Sequence, residues 1–402
     1  MKDLEGRFDR RWDLVVIGIL TNMSLGTVYS WSVFREPLID TFGFSTAQTA
    51  TPYSVFLALF AFSMPLGGWL LGHIGTRATL AVGAFFVASG WFAAGFVSSI
   101  GALALTYGVV AGFGVGLSYG VPLAVVASWF PRRRGIALGL TLGGFGLSPF
   151  VTAPVAEILI EHVGVTMTFR ILGVAFLVIL STATFWMHRA PHDAVRAGLH
   201  SDGIEIGPRE MLRSPIFYGL WITFALGTFA GLTAIGMSAA YGIEVVGIRR
   251  GAAAAAVAGF GVFNGIGRPI FGWLTDHIGA RRTAILAFII IIVGSVSAIL
   301  AAPLGVVPYL VGFALLWLLL GGWLAIAPTA TTTYFGPLHY AANYGIMYTA
   351  YGVGALTGGV ASAFLTNLTG TLVTTFWAVI ATAVAGILVT VALLPRPQEV
   401  EL

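Results

Sequence analysis

Twelve apolar stretches recur along this chain, and each is long enough to cross a hydrocarbon core that takes about 20 helical residues. They lie near residues 14–34, 49–72, 78–98, 102–129, 135–160, 165–188, 215–242, 251–275, 282–302, 306–334, 342–366 and 371–394. No other feature narrows the fold as far: a chain divided in this way reads as an all-α, polytopic membrane protein. Composition agrees, because only 9% of residues are charged and mean hydropathy is +0.92, where soluble domains carry about 25% charged residues. The 53 glycines suit helices that pack backbone to backbone. One long polar interruption, 189–213, separates six spans from six. The expected organisation is a first bundle over 1–188, a linker over 189–213 and a second bundle over 214–402.

Loop charge gives the orientation. Lys and Arg number four before the first span, one between spans 2 and 3 and three between spans 4 and 5. Four more lie in the linker, two between spans 8 and 9 and one near the C-terminus. The opposite side carries Arg35, Arg170, Arg249 and Arg250. The positive-inside rule therefore places both termini and the linker in the cytoplasm, as in a bacterial inner-membrane protein with short loops. No cleavable signal peptide is expected, since the basic start runs into a full-length apolar span.

The two halves echo each other. Gly68, Trp69, Leu70, His73, Ile74, Gly75 and Arg77 recur as Gly272, Trp273, Leu274, His277, Ile278, Gly279 and Arg281, at an offset of 204. Pro65 falls on Pro269 at that offset, whereas Met64 falls on Arg268. The repeat is thus broken at its most expensive residue. Arg268 lies eight residues before Asp276, roughly 12 Å into the helix and so near the middle of a core about 30 Å thick. A guanidinium there costs roughly 2.5 kcal/mol or more and does not shed its proton. Either a bound anion offsets that cost, or the side chain pairs with backbone carbonyls or snorkels to the edge. Asn264, at i−4, shares its helix face.

These segments resemble the major facilitator superfamily, whose members are built from two parallel six-helix repeats with substrate held near the midplane. The segment from Gly272 to Arg281 looks like that family's signature loop, and Gly68 to Arg77 like its first copy. The resemblance implies a conformational latch involving Gly68, Arg77, Gly272, Asp276 and Arg281. Gly72 stands where an acid is usual, so the second copy is expected to be the stronger. Four further stretches resemble the monocarboxylate transporter and oxalate:formate antiporter group: Gly26 to Trp31 with Pro37, Gly112 to Gly120, Asn264 to Pro269, and Asn343-Tyr344-Gly345.

Within that group the resemblance implies that Arg268 binds a substrate carboxylate. The oxalate-exchanger type has a second membrane cation where this chain has Tyr351, so a monoanion suits the site better than a dianion. Animal-type carriers have an aspartate where this chain has Asn264, and a lysine in span 1 that this chain lacks. The expected substrate-binding set is Arg268 and Asn264 with Tyr29, Tyr119, Asn22, Phe145 and Tyr351. Spans 1, 4, 7 and 10 line the path in this fold, so Tyr29 and Tyr119 rank highest as ligand contacts; Phe145, Trp323, Tyr348 and Tyr351 could wall an apolar pocket, with Trp323 and Tyr348 ranked below the selected set.

The expected activity is alternating-access transport of a small monocarboxylate such as lactate or pyruvate, with proton symport favoured by the resemblance. Carboxylate exchange of the oxalate:formate kind is the alternative. A non-transporting membrane sensor is a third reading, against which the short linker argues. Of sixteen acids none lies plainly mid-membrane, so a proton would travel on the substrate, on water held by the tyrosines, or on Glu157 near the outer end of span 5. No nucleophile–base pair or metal-ligand cluster is apparent, so neither an enzyme nor a cofactor is expected. The glycine run from Gly112 to Gly116 lies within an apolar span and is not a nucleotide loop. The basic run at 132–134 reads as a topology signal with lipid contact as a lesser role. Partners beyond the carboxylate are the bilayer and protons. Nucleic acid is not expected, and the protein reads as a monomer.

Overall fold

The computed structural model describes residues 11–44, 46–130, 134–188 and 205–395. Most of the expected linker and the arginines at 132 and 133 lie outside these.

Among the described residues eight stretches are long and apolar enough to cross a membrane, but two of them, Thr51–Ala94 and Gly135–Trp186, run for 44 and 52 residues. At 1.5 Å per residue each would be more than about twice as long as the bilayer core. Each is broken once, at Gly75 (φ 80°) and at Gly164 (φ 81°), where the left-handed backbone ends one helix and starts the next. Gly279 (φ 82°) makes the same break in the second half, at the repeat position of Gly75.

Twelve spanning helices result among the described residues. The first, α1, runs over Arg11–Leu25, tightens to a 3-10 turn over Gly26–Ser30 and continues over Trp31–Phe42, so it ends later than the expected 34. Then come α2 (46–74), α3 (76–94), α4 (Ile100–Trp129), α5 (134–163) and α6 (165–186). The second half holds α7 (Pro215–Glu244), α8 (Arg250–Ile278), α9 (Ala280–Leu304), α10 (Val306–Phe335), α11 (340–369, interrupted at Tyr348) and α12 (Thr375–Leu393). The helices α8 and α11 are less apolar than the other ten, carrying Arg268 and a run of Gly, Ala and Thr respectively. Those two meet the first half: α8 packs along α5, and α11 along α2.

Each half has an aromatic core. In the first, Trp31 stacks on Tyr107 at 4.5 Å while its indole donates to Thr49 O at 2.9 Å. In the second, Tyr241 donates to Ala298 O at 2.6 Å and Tyr309 to Ser238 O at 2.9 Å. Large apolar residues such as Phe85, Phe150, Phe185 and Val307 face outward, as a lipid-exposed surface requires. The end of the linker is fastened to the second half. Ile206 donates to Phe335 O at 3.0 Å and accepts from Asn343 Nδ2 at 2.8 Å, which ties down the asparagine of the Asn343-Tyr344-Gly345 stretch.

Candidate functional site

The two halves close on each other on the side of the termini. Along α5 and α8, Gly135 lies against the Gly272 main chain, and Gly139 against the carbonyl of Arg268 and Cα of Pro269. A side chain at any of these glycines would drive the helices apart. The other seam sets Gly68 of α2 against Ala341 of α11, and Gly345 against Met64 and Pro65. Asp276 closes the first seam at its end. Its Oδ1 accepts from Gly135 N at 3.0 Å and its Oδ2 from Ile136 N at 3.2 Å, so a carboxylate of the second half caps the α5 N-terminus of the first.

The five residues named as a latch divide in two. Gly68, Gly272 and Asp276 act across the halves. Arg77 donates to Phe185 O at 3.1 Å and Arg281 to Val391 O at 2.9 Å, so each fastens the last helix of its own half. Gly72, the counterpart of Asp276, has open space where a side chain would begin.

On the side away from the termini the halves part around a cavity of ≈ 570 Å³. Its walls come from α1 and α2 (Tyr29, Arg35, Tyr53) and from α7, α8, α10 and α11 (Leu232, Val257, Trp317, Leu356). Of the spans expected to line the path, α1, α7 and α10 do so here and α4 does not, while α2, α8 and α11 contribute as well.

Beneath this cavity lies Arg268, fully buried. It does not snorkel. Its Nη1 donates to Leu142 O of α5 at 2.6 Å, and its Nη2 to Asn264 Oδ1 at 3.2 Å, while Nε has no partner. Asn264 in turn donates to Trp317 O at 3.2 Å, so its carboxamide is oriented with the oxygen toward the arginine. The pairing with a backbone carbonyl envisaged from sequence is therefore present, but both acceptors are neutral. Among the described residues no carboxylate pairs with this guanidinium.

An aromatic shell surrounds it. The Arg268 Cζ sits 5.5 Å from the Phe145 ring centroid, a cation–π distance. Phe145 meets Tyr29 at 5.1 Å and Tyr119 at 5.3 Å, both edge to face. The guanidinium is within electrostatic reach of both phenols. Tyr29 and Tyr351 share a hydroxyl–hydroxyl bond of 3.0 Å. The 3-10 turn that carries Tyr29 begins at Gly26, which abuts the Phe145 main chain; any larger residue there would push α1 off α5.

Six of the seven expected binding residues are thus brought together. The seventh, Asn22, is buried, but its Nδ2 donates to Gly18 O at 3.1 Å within its own helix, and no ring contact or cross-helix hydrogen bond joins it to the others among the described residues. Two residues that sequence reasoning did not select also belong to the group. Tyr348, ranked below the selected set, lies 5.3 Å from Tyr119 and 5.0 Å from Tyr351, and Phe60 lies 5.1 Å from both Tyr119 and Tyr348. Trp323 packs instead on Phe288 at 4.9 Å, inside the second half. Glu157 is exposed on the part of α5 away from the termini. Among the described residues no group of His, Cys, Asp or Glu could hold a metal ion.

The family profile of the Major Facilitator Superfamily matches residues 14–333 and 246–401. The chain is 30% identical to the oxalate:formate antiporter of Oxalobacter formigenes over 94% of its own length and 92% of that protein's. It is 24% identical to human monocarboxylate transporter 12, over 82% and 70% of the two lengths. Among solved structures, the proton:xylose symporter XylE bound to 6-bromo-6-deoxy-D-glucose superposes with a TM-score of 0.75, covering 98% of each chain at 15% identity. That last likeness is one of fold.

Proposed function

The chain belongs to the Major Facilitator Superfamily, an integral membrane transporter family, and from that premise we propose that it carries small monocarboxylates such as lactate or pyruvate by alternating access. One observation supports this reading above the others. A fully buried guanidinium is held between two neutral acceptors, with no acid beside it among the described residues. A positive charge at such depth is stabilised when an anion joins it, and a carboxylate matches the planar fork of an arginine. The phenols of Tyr29 and Tyr119 would donate to the same carboxylate, with Phe145, Phe60 and Tyr348 forming its apolar wall.

Arg268 is the one buried charged side chain among the described residues, and one buried cation favours a monoanion. Tyr351 brings a hydroxyl but no second charge, and a dianion would keep one negative charge unmatched in an apolar setting. With the termini in the cytoplasm, the cavity faces outward and the Asp276 contact closes the cytoplasmic side. The bundles would comprise 1–188 and 214–402, joined by 189–213.

Proton symport is the coupling that the resemblance to the monocarboxylate group favours. Exchange is the second reading, and a specific observation favours it: among the described residues no acid adjoins Arg268, and Glu157 and Glu161 are exposed. Uptake of labelled L-lactate into proteoliposomes tests both. Accumulation driven by an inward proton gradient into empty vesicles supports symport, and uptake only after preloading a carboxylate supports exchange. Carboxylate uptake that survives Arg268→Gln would refute the binding site.

A further inference from the structure

The contact between Arg268 and Leu142 has a role of its own. Leu142 belongs to the first half and Arg268 to the second, so this 2.6 Å hydrogen bond crosses the interface. It stands partway along the α5–α8 seam, which continues away from the termini where Gly146 and Leu147 meet Gly265. Toward the termini the same helix pair is joined at Gly139, at Gly135 with Gly272, and finally by the Asp276 carboxylate on the α5 N-terminus. The substrate-binding residue is therefore itself one of the ties that hold the seam shut.

The shape of the guanidinium decides how an anion can reach it. An arginine offers a carboxylate two paired edges, one through Nε and one through the two terminal nitrogens. The Nε edge faces Gly146 of α5, where even a methyl carbon would lie 2.9 Å from Nε and 2.8 Å from Asn264 Oδ1. That edge has no room for a carboxylate. Both terminal nitrogens are already engaged, Nη1 with Leu142 O and Nη2 with Asn264 Oδ1. A carboxylate is the stronger acceptor, since both partners of the bond are then charged and such bonds are roughly twice as strong as neutral ones.

We propose that the Leu142 carbonyl is a built-in competitor for the substrate, so that a carboxylate arriving at Arg268 draws the guanidinium off α5 and loosens the seam on the side of the termini. This rests on the carboxylate reading of Arg268 given above. Binding at the site is thereby converted into weakened closure about two helical turns away, with Asp276 as the remaining tie. The coupling needs no titrating side chain in the membrane.

Hydrogen–deuterium exchange on the full chain in lipid nanodiscs tests it, with formate, acetate, L-lactate and pyruvate as probes and calorimetry to register which of them bind. A bound carboxylate is expected to speed amide exchange in segments 135–147 and 265–277 by about threefold or more. In Arg268→Gln the same addition is expected to change nothing. A probe that binds while these segments exchange unchanged, or more slowly, overturns the coupling and leaves the binding reading intact. If none of the four binds the wild-type chain, both fall.

Discussion

Tyr29 and Tyr351 meet hydroxyl to hydroxyl at 3.0 Å, although 322 residues separate them and they belong to opposite halves. Tyr29 also lines the outer cavity, whereas Tyr351 and Arg268 are fully buried. The pair therefore joins the cavity wall to the buried aromatic group around the guanidinium, and parting it would open a way between them. A single net hydrogen bond is worth about 0.5–1.5 kcal/mol, enough to hold a passage shut in the empty carrier and little enough for a ligand to replace.

The two phenols should not be equivalent. Tyr29→Phe removes both the cross-half bond and a donor within reach of Arg268, so the half-saturating lactate concentration is expected to rise by about tenfold, or roughly 1.4 kcal/mol. Tyr351→Phe removes the bond alone and is expected to leave it within about threefold of wild type. Initial-rate uptake over a range of lactate concentrations measures both, and a larger effect at Tyr351 would contradict the assignment of Tyr29 to the substrate.

Arg268→Gln is expected to abolish carboxylate uptake while the chain still folds. The substitution deletes a buried charge yet keeps an amide that can reach Asn264 or a carbonyl. Thermal unfolding in detergent should show a midpoint no lower than wild type, because the desolvation penalty of the ion is relieved. A variant that unfolds early would reveal the arginine as a structural tie before anything else.

What could be read from sequence followed cost. A guanidinium in an apolar helix is expensive enough to be conspicuous, and Asn264 and Arg268 announced themselves in that way. The repeat at an offset of 204 likewise exposed the two loops and the missing acid at Gly72. Phe60 and Tyr348 carried no such mark, because an aromatic side chain costs nothing unusual in a membrane helix. Their membership depends on how α2 and α11 are rotated against each other, a register set by Gly345 resting on Met64 and Pro65. Asn22 was the converse case. Its spacing on α1 was right, but its amide nitrogen donates within its own helix and its buried Oδ1 has no partner among the described residues.

Asp276→Asn should weaken closure on the side of the termini. The carboxylate that caps α5 becomes a neutral amide, at a cost of roughly 1 kcal/mol. The chain contains no cysteine, so a single reporter can be introduced. Ala341→Cys is suited to this, since Ala341 is buried beneath Gly68 in the other seam. Its alkylation by a membrane-impermeant maleimide, applied from the side of the termini, is expected to be about fivefold faster with Asp276→Asn than without. Equal rates would mean that Asp276 caps a helix without holding the halves.

Tyr351→Lys would set a second cation beside the first. Buried near Arg268 and among Tyr29, Tyr348 and Phe60, it is unfavourable when the site is empty and favourable when a dianion fills it. Competition assays should therefore show oxalate displacing labelled lactate better than in wild type, by about tenfold relative to formate. Unchanged selectivity would argue that α11 does not face the carboxylate.

The sharpest comparison lies between two glycines one turn apart on α5. A methyl group at Gly146 would fall 2.8 Å from Asn264 Oδ1 and 2.9 Å from Arg268 Nε, both of which it would have to displace. A methyl at Gly143 would find its nearest neighbour, Gly265 O, at 3.8 Å, an ordinary contact. Both substitutions raise helix propensity by the same amount, about 1 kcal/mol, so any difference between them isolates the crowding. Gly146→Ala is expected to lower lactate uptake by about tenfold or more, and Gly143→Ala to leave it within about twofold of wild type. If the two behaved alike, the tight approach of α5 to the Asn264–Arg268 pair would have no bearing on transport, and the guanidinium would have freedom that its buried contacts deny.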